Sequence, residues 1–442
     1  MLIDKHTQLI LCKFKKILIA YSGGLDSTVL LYNLVKLRNK HPLLLRVIHI
    51  NHNLCNLSNK WVEICSSQCK TFKVFFLHQN INIQKNSNIE KNARIERYKA
   101  IAQIIKHDEV LVTAHHLDDQ CETFFLFLKR GSGPKGLSGI HQKNIINNIK
   151  LYRPLLNVTR KQILQYAIKN KLKWIEDSSN FDIKYDRNFL RNIILPKIMN
   201  RWPFFNKTVS RSAALCNEQE QLLNELINPL FYKLVQKNNS LFITPLYFYS
   251  EIKRNFIIRK WISYNECYYM PSKKMLSIIW NEIINCNNNA NPKILIKKHV
   301  ICKYKSFLHC IKYVNSLKKI VLIWKNFNKP LLLPNKLGKL IYYSNINSDS
   351  KKNIINIRNP ENNEILYIKF GFIGKYYFDN IKKKKNIDDI WEDLSIPKWE
   401  REQIPLLFYN KIFIADLKNK IITKNGMSKN KNNFFIFWDK KC

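Results

Sequence analysis

Residues 17–28, ILIAYSGGLDST, constrain the fold more than any other segment of this 442-residue chain. Ile17–Tyr21 is a short apolar run of the kind that forms a buried strand, and helical spacing begins within a few residues of it. The connection Ser22-Gly23-Gly24-Leu25-Asp26-Ser27 has to be a tight turn, which glycine permits. The same glycines leave backbone N–H groups unshielded, and the helix N-terminus adds free donors and positive dipole. With the hydroxyls of Ser22 and Ser27, the turn reads as a cradle for an anion. The alternative is a plain Gly-Gly turn with Asp26 as a helix cap. The strand before it, the helix after it and both serines favour the cradle. No Lys stands where a G-x-x-x-x-G-K-[ST] loop carries one, which disfavours γ-phosphate transfer.

The first 200 residues continue the alternation. Leu43–Ile50, Phe72–Leu77 and Glu109–Ala114 are further strand candidates. Helices are expected over Ser27–Lys40 (Leu30, Leu34, Leu37), over Ser87–His107 from the capping box Ser87-x-x-Glu90, and over Asp118–Arg130 (Cys121, Phe124, Phe125, Leu128). This order predicts an α/β domain with a doubly wound, mostly parallel sheet, whose ligand sits beyond the strands' carboxyl ends. Past about Lys207 the pattern changes to a long helix near Asn206–Gln236, then helices near Glu251–Ser263 and Ser272–Cys286, with an exposed loop over Asn285–Asn291. From about Asn345 strands return: Asn353–Ile357, Glu364–Phe370, Leu406–Ala415 and Phe434–Trp438. The expected division is a doubly wound α/β domain carrying the anion cradle over 1–212, a helix-rich domain over 213–340 and a small α/β domain over 345–442. The four-lysine run Lys382–Lys385 reads as a solvated loop.

A second constellation, TAHHLDDQCET, occupies residues 113–123 directly after the Glu109–Val112 strand. On the helix that follows, Asp119 and Glu122 are i, i+3, and Asp118 and Glu122 are i, i+4, so the acids share a face. His115 falls at the strand's carboxyl end. Such carboxylates suit Mg²⁺ held together with substrate phosphates, or an ammonium group. A zinc or di-metal hydrolase site using His115, His116 and Asp118 is the metal-only alternative, and an acidic helix cap accounts for Asp118 and Asp119 alone. Next, Arg130-Gly-Ser-Gly-Pro-Lys135-Gly-Leu-Ser-Gly139 reads as a mobile loop, a connector or a lid, with Arg130 and Lys135 in reach of a phosphate. Arg94 and Arg97 stand at i, i+3 on a helix, and residues 174–191, WIEDSSNFDIKYDRNFLR, mix Asp177, Asp182 and Asp186 with Arg187 and Arg191.

Lys and Arg total 74 against 32 Asp and Glu, a net charge of +42. A field of that size attracts polyanions, nucleic acid above all. Asn occurs 53 times and Lys and Ile are also heavy, so A/T-rich codon bias accounts for part of the lysine excess. The eleven cysteines form no Cys-x-x-Cys pair, which argues against a zinc ribbon, a dithiol redox site or a disulfide scaffold. Reduced thiols in a cytoplasm are expected. No apolar run is long enough for a membrane helix, and the first apolar stretch runs straight into the glycine turn instead of a cleavage site. Oligomeric state is left open, a homodimer included.

The hexapeptide SGGLDS resembles the signature of the PP-loop ATP pyrophosphatases, which cleave ATP between the α and β phosphates. Together with HINHNL (49–54), NARIERY (92–98), TAHHLDDQCET, RGSGPKGLSGI (130–140), RPLL (153–156) and EDSSNFDIKYDRNFLR (176–191), the chain resembles the tRNA(Ile)-lysidine synthase family. IWEDLSIPKWEREQIPLLFYN (390–410) is similar to the C-terminal domain of its longer members. The resemblance is dense to about residue 200, sparse over 215–345, and returns near 390. It implies a CAU-anticodon isoleucine tRNA, free L-lysine and ATP with Mg²⁺ as substrates. Cytidine O2 is adenylated, the lysine amine attacks C2, and AMP leaves. It further implies pyrophosphate on Ser22, Gly23, Gly24, Leu25, Asp26 and Ser27, and Asp26 for Mg²⁺ or ATP positioning. His115, Asp119 and Glu122 are implied as catalytic groups, the two acids as an ammonium clamp. Arg94, Arg97, Arg130, Lys135, Arg187 and Arg191 are implied contacts for AMP or RNA phosphates. Lysines with Trp391, Trp399, Phe408 and Tyr409 suggest RNA docking at the C-terminus, although Trp391 and Trp399 individually read better as core. The nearest rival is a tRNA thiolase with the same ATP chemistry; cytidine thiolases carry the Cys-x-x-Cys pairs missing here. An amidating synthetase would need an ammonia source, and a basic RNA-binding protein without catalysis would not need an intact Ser22–Ser27 motif.

Overall fold

The computed structural model describes residues 1–51, 58–81, 89–265, 270–287, 290–344, 354–371, 374–378, 384–427 and 433–440. The expected capping residue Ser87, the end of HINHNL, residues 288 and 289 of the Asn-rich loop and residues 382 and 383 lie outside them. The chain forms two compact units, Met1–Asn228 and Pro229–Cys442.

In the first unit the elements run α1 (Lys5–Phe14), β1 (Lys16–Ala20), α2 (Leu25–Arg38), β2 (Leu44–Asn51), α3 (Ser58–Thr71), β3 (Phe75–Asn80), α4 (Ile89–Ile104), β4 (Val110–Val112), α5 (Leu117–Lys129), α6 (Pro134–Leu137), β5 (Lys143–Ile146), β6 (Ile149–Tyr152) and α7 (Arg160–Lys169). The strands form one sheet in the order β3-β2-β1-β4-β6-β5, parallel except for the β5–β6 hairpin. Alternate residues of β1 serve opposite faces. Ile17 and Ile19 pack with Leu30, Leu34, Leu37, Cys65, Cys69, Ile163 and Ala167, so α2, α3 and α7 cover one face. Leu18 packs with Ile48, Leu111, Leu151, Tyr98 and Ile101, so α4 covers the other. The expected doubly wound sheet is therefore present. Its strand order reverses between β1 and β4, and the carboxyl ends beyond such a switch point are where ligands bind in doubly wound sheets. The expected Glu109–Ala114 strand shortens to three residues, because Glu109 turns to pair with Arg46 at 2.9 Å and Thr113 onward forms the loop into α5.

After α7 come α8 (Asp186–Phe189), a π-helical turn over Leu190–Ile194, α9 (Leu195–Arg201) and the long α10 (Phe205–Leu234), which contains Pro229. Cys121, Leu195 and Val209, with Phe124, Phe125, Met199 and Phe205 against them, form a small core that ties this helical segment to α5.

In the second unit, Ser250 and Ser272 cap helices Glu251–Tyr264 and Lys273–Ile278, and the latter continues as a π-helical stretch, Ile279–Ile284. This region also carries a four-stranded antiparallel sheet built from Leu241–Phe242, Phe307–Lys312, His299–Tyr304 and Lys293–Ile296. Farther on, a five-stranded and a four-stranded sheet share one core around Trp324, Leu340, Ile357, Ile368, Ile414 and Trp438. The expected Leu406–Ala415 strand is a hairpin, Pro405–Tyr409 and Ile412–Asp416, because Asn410 takes positive φ at the turn. Trp391, Phe408 and Tyr409 are buried, with Trp391 Nε1 donating to Asp416 Oδ2 at 2.7 Å. They are core, so they do not stack on RNA. Trp399 is half-buried against the rings of Tyr304 and His309.

Candidate active site

The turn after β1 is shaped by its own hydroxyls. Ser22 Oγ lies 3.0 Å from Ser27 Oγ, Ser27 Oγ donates to the Gly24 carbonyl at 3.0 Å, and the Gly24 N–H reaches Ser22 Oγ at 3.3 Å. Gly23 has φ +81°, a backbone region glycine adopts freely, and a Cβ there would stand 2.7 Å from Cys65 Sγ and 2.8 Å from Ile175 Cδ1. Its carbonyl accepts the Ile175 N–H at 2.9 Å, which fixes the segment after α7 against the turn. A Cβ on Gly24 would meet nothing closer than Ser22 Oγ at 3.4 Å, so the backbone beside the α2 N-terminus tolerates a methyl group in ordinary contact. The turn thus brings the N-terminus of α2, which has no side-chain cap, to the carboxyl edge of β1.

Asp26, in the first turn of α2, faces the loop after β4. His116 is fully buried there; its Nε2 is 3.7 Å from Asp26 Oδ2 and 3.5 Å from Asp119 Oδ2, and its Nδ1 is 3.7 Å from Asp118 Oδ2. Burial alone would lower its pKa, but Asp119, Asp118 and Asp26 outweigh that and push it up to about 9. Asp118 is held below its ordinary value, and its carboxylate accepts the Arg160 N–H at 2.8 Å. Burial, then the charge of Asp119, lifts Asp26 above its ordinary value against His116. Asp26 Oδ1 is buried without a hydrogen-bond partner.

Asp119 and Glu122 share one cation. Arg191 donates from Nη2 to Asp119 Oδ1 at 2.8 Å and from Nε to Glu122 Oε1 at 2.6 Å. Arg187 donates to Thr123 Oγ1 at 3.0 Å and lies 3.5 Å from Glu122 Oε2. In this coupled pair Asp119 is held well below the usual carboxylate range by His116, His115, Arg191 and Arg187 against its burial, while burial and Asp119 push Glu122 up. His115 Nδ1 is 2.9 Å from Thr113 Oγ1, and burial with Arg153, Arg94 and Arg187 lowers its pKa to about 3, so the ring is neutral.

Ser22–Ser27, Asp26, Asp119, Glu122, Arg187 and Arg191 therefore converge at the switch point, with His115 beside them. Arg94 and Arg97 are exposed on α4, Arg94 lying over the Tyr98 ring. Arg130 and Lys135 are exposed too, Arg130 against Phe127. Their loop is pinned: Gln120 reaches the Ser138 carbonyl at 3.3 Å and accepts the Ile140 N–H at 2.5 Å. Asp186 pairs with Lys129 at 2.8 Å on the surface. Sequence reasoning gave His116 a role only as a metal ligand and did not single out Arg153 or Arg160. A second histidine next to three acids was the available signal for the first; for the arginines, burial and position in space decide, and neither is visible in a motif.

A phosphate cradle at the β1–α2 turn, beside an acid cluster at the switch point of a doubly wound sheet, defines an ATP-utilising PP-loop domain. Residues 3–198 match the family profile of the PP-loop domain, residues 242–309 that of the TilS substrate binding domain, and residues 374–427 that of the TilS substrate C-terminal domain. Over 438 residues the chain is 41% identical to a tRNA(Ile)-lysidine synthase of Buchnera aphidicola from Acyrthosiphon pisum, covering 96% of this chain and 98% of the relative. A tRNA(Ile)-lysidine synthase of Photorhabdus laumondii is 39% identical over 431 residues, 97% and 95% of the two chains. The chain belongs to the tRNA(Ile)-lysidine synthase family. No helix among the described residues is long and apolar enough to cross a membrane.

Proposed function

We propose that the chain ligates free L-lysine to C2 of the wobble cytidine in a CAU-anticodon isoleucine tRNA, consuming ATP and releasing AMP and pyrophosphate, in the cytoplasm. The observation that carries this reading is the His116–Asp26 contact, which joins the phosphate cradle to the acid cluster in one site. The backbone donors of Ser22–Ser27 hold the departing pyrophosphate while cytidine O2 attacks the α phosphorus. Adenylation turns a poor leaving group into a good one. Mg²⁺ in such sites is bound by one or two carboxylates plus phosphates, and the partnerless Asp26 Oδ1 fits that role. No all-protein metal cluster exists among the described residues, in keeping with an ion that arrives with ATP. Bound with the phosphates, Mg²⁺ neutralises their charge.

Asp119 and Glu122 receive an ammonium group of lysine in the place Arg191 now takes, and the freed arginine turns to the nucleotide phosphate. Neutral His115 orients the adenylated base by hydrogen bonding, with no charge to add. Arg94, Arg97, Arg130, Lys135 and Arg187 contact AMP or RNA phosphates. Residues 1–212 form the catalytic domain, and 213–340 and 345–442 recognise the tRNA; the matched segments 242–309 and 374–427 lie inside these two. The test supplies bulk tRNA, ATP and labelled lysine, digests to nucleosides and looks for a lysine–cytidine adduct. Formation of ADP in place of AMP, or no adduct, overturns the reading.

A further inference from the structure

Two arginines are buried among the described residues, Arg401 and Arg153. Arg401 has its counter-charge: Asp388 Oδ1 lies 2.8 Å from one of its nitrogens, and the Ile396 carbonyl accepts at 2.8 Å. Arg153, only 2% exposed, has none among the described residues. One of its amino groups donates to the His141 carbonyl, and Nε is buried without a partner. A guanidinium withdrawn from water among neutral acceptors is costly unless an anion completes the site. The described residues supply no such anion, which leaves the place for a ligand.

The position says which ligand. Arg153 directly follows β6, the parallel neighbour of β4, and the Thr113 N–H donates to the Tyr152 carbonyl at 3.1 Å. Arg153 thus stands at the carboxyl edge of the sheet, level with the loop that carries His115 and His116. Arg153, Arg94 and Arg187 all act on His115 as positive neighbours, whereas Asp119 acts on the same ring as a negative one. Arg187 lies 3.5 Å from Glu122 Oε2 and so has an acid partner, whereas Arg153 has none among the described residues; the site thus combines one unmatched buried cation with the carboxylates of Asp119 and Glu122. A free amino acid with a basic side chain has the matching polarity, a carboxylate at one place and ammonium groups at others.

We propose that Arg153 binds the carboxylate of the free amino acid used as nucleophile, and so selects the free amino acid over an amine lacking that group. This rests on the lysine-ligation reading above. A nucleotide or RNA phosphate has the same oxyanion chemistry, and the experiment separates the two sources.

The purified full chain is assayed with tRNA, ATP and either L-lysine or L-lysinamide, which keeps both amines and removes the negative charge. Loss of a buried charge-assisted contact corresponds to about 30-fold or more in apparent affinity. Wild-type protein should prefer lysine by that factor. In Arg153→Met the KM for lysine should rise by a similar factor while lysinamide is used as before, so the preference collapses; Arg153→Lys should restore part of it. tRNA-dependent ATP–pyrophosphate exchange should persist in both variants. An undiminished preference for lysine in Arg153→Met overturns the proposal, as does a raised KM for ATP or tRNA with that for lysine unchanged. Should Arg153→Met fail to fold, the wild-type comparison and Arg153→Lys still decide, because equal use of lysine and lysinamide by the wild type is fatal to the idea. Failure of the ligation reading itself looks different: no adduct forms with wild-type protein and either amine.

Discussion

The imidazole of His116 stands 3.7 Å from the carboxylate of Asp26, and this pair joins the loop after β1 to the loop after β4. His116 is fully buried, and Asp118 and Asp119 flank it as well. With its pKa at about 9 it is an imidazolium at neutral pH, the counter-charge that lets three acids sit close together beneath the phosphate cradle.

Its removal should be severe. In His116→Gln the carboxylates lose their shared cation, and breaking a buried charge set by removing one partner costs about 3–5 kcal/mol. Urea unfolding should report a loss of that order, with tRNA-dependent pyrophosphate exchange falling in parallel. The wild type should also show a pH signature. A group whose folded pKa is raised stabilises fully below its unfolded value, near 6.5, and loses that contribution as pH rises through about 9. Between pH 6 and 10 the unfolding free energy should fall by about 3 kcal/mol from this group. His116→Gln should flatten that slope; an equally steep slope in the variant would mean that His116 is not the titrating group.

The parts of this site that were legible in the sequence are those encoded locally. The β1 turn follows from glycines between a five-residue apolar run and a helix, and the acid face of α5 follows from i, i+3 and i, i+4 spacing. The sheet was legible because its strands are short apolar runs at regular intervals. What stayed hidden depends on long-range geometry. Arg191 reaches Asp119 and Glu122 across about seventy positions of chain, and Arg153 stands out only once its burial without a carboxylate is known. The strands over 293–343 were missed because they are two to six residues long and lack a clean alternation of buried and exposed positions. The C-terminal aromatics show the converse: beside many lysines they suggest an RNA platform, yet Phe408 and Tyr409 lie on a strand buried on both faces.

Gly23 and Gly24 should separate folding from binding. At Gly23 a methyl group meets Cys65 and Ile175 below 3 Å on a backbone of positive φ, so Gly23→Ala should destabilise the first unit by about 2–4 kcal/mol. At Gly24 a methyl group has space, with its nearest contact 3.4 Å away. Gly24→Ala should leave the melting temperature nearly unchanged but weaken ATP binding, because the added carbon stands where a phosphate approaches the backbone. Equal thermal losses in the two variants would contradict this division.

Asp26 illustrates a cost accepted for function. Its carboxyl is raised by burial and by Asp119, so at neutral pH its ionised form works against folding. Asp26→Asn should therefore melt at the wild-type temperature or slightly above it. Incorporation of labelled lysine into tRNA should nevertheless fall about 100-fold or more, through loss of charge at the phosphates. Incorporation at the wild-type rate would remove Asp26 from the active site.

Glu122 tests the division of labour between the two half-reactions. Its carboxylate is fully buried and takes a two-point contact from Arg191, whose Nε and Nη2 lie 2.6 and 3.1 Å from its oxygens. If Glu122 serves the amine, Glu122→Gln keeps the volume and one acceptor but cannot neutralise an ammonium, so lysine transfer should fall by at least about tenfold more than tRNA-dependent pyrophosphate exchange. The measurement is a paired assay on one preparation, exchange without lysine and adduct formation with it, together with a thermal melt to confirm folding. A parallel fall in both activities would assign Glu122 to the ATP half of the reaction, through its hold on Arg191.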